Sequence, residues 1–106
     1  MSAELIIRPE AEADVREAYG WYDEQVPGLG RELLAELDRE LAVLLANPEV
    51  HAKVHRNMRR ALLRKFTFGV FYVVESDRIV VLAILHTARS PEIWSRREQI
   101  KRRSDT

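Results

Sequence analysis

Apolar and polar positions change their spacing several times along the chain, and each change marks a new element. Leu5-Ile6-Ile7 is a short apolar run that Arg8-Pro9 ends, which predicts a brief strand with Pro9 placed to open a helix. From Glu10 onward, Ala11, Val15, Ala18, Tyr19, Tyr22 and Val26 recur at three- and four-residue steps, while Glu12, Arg16 and Asp23 take other faces. That is the period of an amphipathic helix. Pro27-Gly28 and Gly30 interrupt it. A second helical stripe runs through Leu33, Leu34, Leu37, Leu41, Leu44 and Leu45 until Asn47-Pro48 stops it. Two helices joined by a short turn predict an αα-hairpin.

After Pro48 the helical period disappears. Residues 49–58 are polar, contain His51 and His55, and read as a loop. Three strand-like stretches follow: Ala61-Leu62-Leu63, Val70 to Val74, and the continuous apolar run Ile79 to Leu85. Ser76-Asp77 lies between the last two as a hairpin turn. A strand that is apolar on both faces belongs in the centre of a sheet or under cover on both sides. From about Pro91 the chain reads as a short C-terminal helical tail carrying Ile93, Trp94 and Ile100 among basic residues. The predicted order is β-α-α-β-β-β. This is an α+β fold, a two-layer sandwich of a helical hairpin on a largely antiparallel sheet. The second helix should turn Leu37, Leu41 and Leu44 toward Phe71, Val73, Val81 or Ile84. With 106 residues and no repeat or low-complexity segment, one domain over 1–106 is expected.

Composition narrows the class. The chain has no cysteine, which removes disulfides and thiolate metal sites and suits a reducing cytoplasm. No apolar run approaches the ~18 residues that span a bilayer, and Met1-Ser2-Ala3-Glu4 lacks the basic start of a signal peptide. The expected location is cytoplasmic, with no membrane partner. The net charge of zero conceals a division. Residues 1–50 hold 4 Lys/Arg against 12 Asp/Glu, a net −8, and residues 51–106 hold 13 against 5, a net +8. An acidic face and a basic face would suit different partners, and charge pairing between the halves is the alternative.

Local signatures of an enzyme are missing: there is no phosphate-cradling glycine loop and no nucleophile elbow. His51 and His55 stand four apart in a polar stretch with no evident third ligand, so they read as solvated loop residues and neither a metal nor a cofactor is expected. The chemistry that remains gathers at strand ends. Arg59, Arg60, Arg64 and Lys65 surround the first meander strand, and His86 and Arg89 follow the last. Arginines there can hold a phosphate or carboxylate through paired donors, and His86 can exchange a proton near neutral pH. The plainer alternatives are a histidine that caps the sheet edge and an arginine paired with a helix carboxylate. Trp94 is expected to pack the tail on the core rather than stack on a nucleobase. Trp21, Tyr22 and Val26 are more apolar surface than one core needs, and they suggest a protein-binding face.

These residues carry a family resemblance. Arg60 to Tyr72 resembles the Arg-x-x-x-x-x-Phe-Pro-Tyr-x-hydrophobic-x-Tyr segment of RelE/ParE-type toxins, with Thr67 where that family often has proline. His86-Thr87-Ala88-Arg89-Ser90-Pro91-Glu92-Ile93-Trp94 resembles the family's ending, His-x-x-Arg-x-Pro-x-x-Trp. Pro9-Glu10-Ala11, Asp14-Val15, Tyr22 and Pro27 are similar to its first helix, so the likeness runs to about Arg97. The resemblance implies the toxin of a bacterial type II toxin–antitoxin system, neutralised by a cognate antitoxin in a hetero-oligomer. ParE-like members poison DNA gyrase, and RelE-like members cut mRNA on the ribosome. Only three lysines, Lys53, Lys65 and Lys101, and the long helical hairpin resemble the ParE branch. Under that reading no catalytic residue is assigned; Arg59, Arg60, Arg64, Arg89 and Trp94 bind the target, and Trp21, Tyr22 and Val26 bind the antitoxin. Under the RelE-like alternative His86 is the general acid, Arg64 or Arg89 steadies the phosphorane, and Glu49 or Glu75 is the base. A third possibility is a non-toxic partner in an antitoxin complex.

Overall fold

The computed structural model describes residues 4–87 and Arg96. Strand β1 (Glu4–Ile7) leads into α1 (Pro9–Gln25), with Pro9 in the first helical turn as its fixed φ favours. Helix α2 (Leu29–Ala46) follows. The joint between the helices is tightly held. Gly28 adopts a left-handed φ of 91°, and the Asp23 carboxylate accepts the N–H groups of Gly28 at 3.0 Å and Gly30 at 3.1 Å. A β-carbon at Gly30 would lie 2.8 Å from the Tyr19 carbonyl oxygen, so close packing of the helices requires glycine there.

The rest of the sheet is β2 (Lys53–His55), β3 (Met58–Leu62), β4 (Phe68–Glu75) and β5 (Arg78–His86). The spatial order is β1-β5-β4-β3-β2. Only the β1–β5 pairing among these is parallel, because the helical hairpin carries the chain back across the sheet before β5 forms. The α+β architecture and largely antiparallel sheet agree with the sequence pattern. The polar stretch after Pro48 differs from expectation. It contains β2, a three-residue edge strand paired with β3 and closed by a turn at Arg56, which has a positive φ of 52°. Backbone pairing, with Val54 as the one apolar anchor, holds this strand. A period-2 pattern cannot reveal it.

Strand β5 lies between β1 and β4, and Ile79 to Leu85 are all buried. Both faces of the sheet carry apolar clusters. On the helix side Leu33, Leu37, Leu41 and Leu44 pack with Val70, Tyr72, Ile79, Val81 and Ile84. Met58, Phe71, Val73, Val80, Leu82, Ala83 and Leu85 form the second cluster. The leucine stripe therefore meets Val81 and Ile84 as expected, but Phe71 and Val73 belong to the opposite face. The pairing of Tyr72 with Val81 next to Phe71 with Ala83 leaves Leu82 as an extra residue, a β-bulge. Leu82 and Ala83 consequently share one face, and the alternation of β5 is shifted by one from there on. The C-terminal tail from about Pro91, and the expected role of Trp94 in packing it, lie outside the described residues.

Candidate interaction cleft

Beyond the bulge, β5 turns Ile84 and His86 toward α1. Strand β1 has ended by then, at Ile7 opposite Val81, so the edge of β5 past that point lacks a strand partner on that side. Asp14 of α1 takes the place of one: its carboxylate accepts the Ile84 N–H at 3.0 Å. The helix and strand diverge around this contact. They leave a cleft of about 450 Å³ lined by Asp14, Glu17, Ala18, Trp21 and Tyr22 on α1, by Thr67 and Phe68, and by Ile84, Leu85 and His86 on β5.

One wall of the cleft is aromatic. Tyr22 stands edge-on to Trp21 with centroids 4.9 Å apart, and edge-on to Phe66 at 4.9 Å, which buries its ring against the core. Trp21 remains 58% exposed, and Val26 one turn further on is 54% exposed. Most soluble proteins cover a tryptophan that can reach a core, because its area is large. Phe68 stacks edge-on to the His86 ring at 5.7 Å, and the Thr67 hydroxyl lies 2.7 Å from His86 Nε2. His86 is thus held by its neighbours and faces the same cleft as Trp21 and Tyr22. The sequence had placed these residues at unrelated sites. Sequence reasoning passed over Glu17 and noted Asp14 only in the likeness of the first helix, although with Trp21 they stand at i, i+3 and i+7 of one helix stripe.

The arginines occupy other places. Arg59 donates to the backbone carbonyls of Glu49 at 3.0 Å and His51 at 2.7 Å, so it fastens the loop before β2. Arg60 points to the opposite face of β3, with its stem over Gly69. Arg64 lies in the β3–β4 loop, beside a second cleft of about 340 Å³ shared with Glu36, Arg39, Glu40, Val43 and Lys65. Glu36 is buried there, and its carboxylate accepts the N–H of Arg64 and, at 3.0 Å, that of Lys65. Arg64 and His86 therefore line different clefts. Glu75 pairs with Arg78 at 2.6 Å at the far end of β4, about 23 Å along the strand from the Phe68–His86 pair. Arg89 and Trp94 lie outside the described residues.

The two histidines expected in a solvated loop are both half-buried, and His55 is the last residue of β2. His51 Nε2 is 3.4 Å from the Glu40 carboxylate, and its ring stands edge-on to Tyr72. Tyr72 donates to the Pro48 carbonyl at 2.8 Å. Burial, with a smaller contribution from Glu40, raises its phenol to about 12, against the pull of Arg59. Among the described residues no group of three or more His, Asp or Glu side chains is arranged to hold a metal ion. Nor is any described helix long and apolar enough to cross a membrane.

A helical hairpin laid on a five-stranded, mostly antiparallel sheet is the ParE-like fold. It is similar to a solved structure described as the chromosomal ParDE TA system from P. aeruginosa. The TM-score is 0.71 at 19% identity, covering 79% of this chain and 95% of that one. The family model described as the ParE toxin of the type II toxin–antitoxin system parDE matches residues 5–91, and the chain belongs to that family. No curated protein sequence matches it.

Proposed function

We propose that this protein is the toxin of a type II toxin–antitoxin pair, that it arrests growth by inhibiting DNA gyrase, and that a cognate antitoxin neutralises it by covering the α1 face at Trp21, Tyr22 and Val26. The family supports the toxin class. The choice of gyrase over ribosome-bound mRNA rests on one observation. Among the described residues, the cleft that holds His86 is lined by two carboxylates and by no lysine or arginine. An enzyme that cuts RNA has to draw a polyanion to its proton donor and stabilise added negative charge on phosphorus. Asp14 and Glu17 oppose both. Among the described residues, Arg64 and Lys65, which could attract a phosphate, line the other cleft. Arg60, Arg64, Arg89 and Trp94 are then the residues that contact gyrase, and Arg59, which donates to the Glu49 and His51 carbonyls, holds the loop before β2.

The deciding experiment compares wild type with His86→Ala in growth arrest on induction, in gyrase supercoiling and in ribosome-programmed mRNA cleavage. The expected result is inhibition of supercoiling with toxicity kept in the variant. Codon-phased cleavage that is lost in His86→Ala, with gyrase untouched, would overturn this reading; loss of a general acid typically costs ~10²–10⁴ in rate.

A further inference from the structure

The cleft between α2 and the β3–β4 loop gathers three cations, Arg39, Arg64 and Lys65, together with Glu36, Glu40 and Val43. Glu36, Arg39, Glu40 and Val43 follow one another at the steps that share one face of α2. Glu36 is the buried member, and its carboxylate accepts the N–H groups of Arg64 and Lys65. That contact fixes the loop backbone beside the helix, and the buried negative charge offsets repulsion among the cations around it. Glu40 faces His51 at 3.4 Å. Both carboxylates of the lining are therefore engaged. The Arg39, Arg64 and Lys65 side chains are exposed, and among the described residues they form no ion pair. A guanidinium fork matches a carboxylate or a phosphate through paired donors. Two features favour carboxylates carried by a protein. Val43, 47% exposed, adds an apolar contact in the same cleft. The cations also surround one concavity that contains two carboxylates, whereas a nucleic-acid strand presents a row of phosphates and calls for a track of cations.

We propose that this cleft takes an acidic segment of the gyrase protein, with carboxylates held by Arg39, Arg64 and Lys65 and a neighbouring apolar side chain seated on Val43. The inference rests on the reading of gyrase as the target. It adds the chemistry of the surface that is recognised, and it brings Arg39, Val43 and Lys65 into the contact beside Arg64. Arginine is one of the residues in which binding energy concentrates at protein interfaces. Complementary charge steers the encounter and fixes its register, and an apolar neighbour excludes water from the pair. The role of Glu36 follows: by holding the Arg64 and Lys65 backbone, it presents their side chains on the same side as Arg39.

The test titrates the full chain against purified gyrase holoenzyme, with and without a DNA duplex, and against the duplex alone. Wild type should bind gyrase in the absence of DNA. Arg39→Gln and Arg64→Gln should each weaken that binding fivefold or more, and Val43→Asn threefold or more. Lys53→Gln, an exposed cation on β2 outside the cleft, should change it less than twofold. All four positions are exposed, and thermal melts together with antitoxin titrations check that the variants remain folded. A diazirine-bearing residue at position 43 should crosslink to a gyrase peptide that carries aspartate or glutamate. Binding that needs the duplex and ignores Val43→Asn, or crosslinking to DNA, would refute the protein segment and assign the cleft to nucleic acid. Variants that lose the antitoxin but keep gyrase would assign it to the antitoxin instead, which also refutes the proposal. If wild type inhibits gyrase and the cleft variants inhibit it equally, the cleft is not the contact and the gyrase reading stands. If wild type neither binds nor inhibits gyrase, both fail together.

Discussion

Replacing Glu36 with alanine tests whether a single carboxylate organises the loop that joins β3 to β4. Glu36 is 6% exposed on a helix face otherwise made of leucine, and its oxygens accept the backbone N–H groups of Arg64 and Lys65 across the hairpin–sheet boundary. A hydrogen bond to a charged group contributes about 1.5–3 kcal/mol. Two such bonds would give about 3–6 kcal/mol if the freed amides stayed dry. They open onto the cleft shared with Arg39 and Lys65, so water can reach at least one of them, and the expected cost of Glu36→Ala is about 2–4 kcal/mol. Glu36→Gln keeps one acceptor oxygen but turns an NH₂ toward the second amide. It should cost about 1–2 kcal/mol. Urea unfolding followed by circular dichroism gives both values, and amide exchange by NMR locates the effect. The Arg64 and Lys65 amides should exchange faster in Glu36→Ala, while those of β5 follow global stability. An alanine variant within about 0.5 kcal/mol of wild type, with those two amides still protected, would refute the reasoning.

Leu44, fully buried at the end of the α2 stripe, should cost about 2–5 kcal/mol on truncation to alanine, read as a lower urea midpoint with an unchanged slope. Tyr72 carries a pH dependence. Its phenol keeps its proton to about 12 in the folded protein and loses it near 10.0 when unfolded, so its stabilisation is complete below pH 10 and is lost as pH rises toward 12. The loss amounts to roughly 2–3 kcal/mol. Tyr72→Phe should lose about 0.5–1.5 kcal/mol at pH 7 with the Pro48 hydrogen bond, and should flatten the stability profile above pH 10 in alkaline melts. Gly30→Ala should cost about 1–3 kcal/mol because the added carbon meets the Tyr19 carbonyl, seen as a lower melting temperature.

The helices were legible in the sequence because each has a long 3.6-residue period with a clear start and stop, Pro9 for the first and Asn47-Pro48 for the second. The central place of β5 was legible from its unbroken apolar run. Which face each β4 residue takes was not. In a strand buried on both sides every position is apolar, so nothing in Val70 to Val74 distinguishes the helix face from the opposite one. Strand β2 was hidden for the opposite reason: it has almost no apolar pattern and is held by its backbone. Glu36 stands at the margin of the leucine stripe and reads as a solvent-facing charge, because the two amides that it serves come 28 and 29 residues later. The cleft eluded the sequence because Trp21 and His86 meet only through the folded edge of β5. Each was noticed, but separately.

The bulge at Leu82 gives β5 one residue more than its partner strand needs. Up to Val81 the strand keeps one parity, set by its pairing with β1 and by the core under α2. After Leu82 it keeps the other, with Ile84 and His86 turned toward α1. Removing one residue between Leu82 and Leu85 would take out that surplus. The bulge would close, the strand would alternate without interruption, and His86 would keep its place opposite Phe68. A relative of this protein one residue shorter in that stretch would share its fold and still present His86 to the cleft. The strand can therefore absorb a change of length without passing it on to the surface that a partner meets.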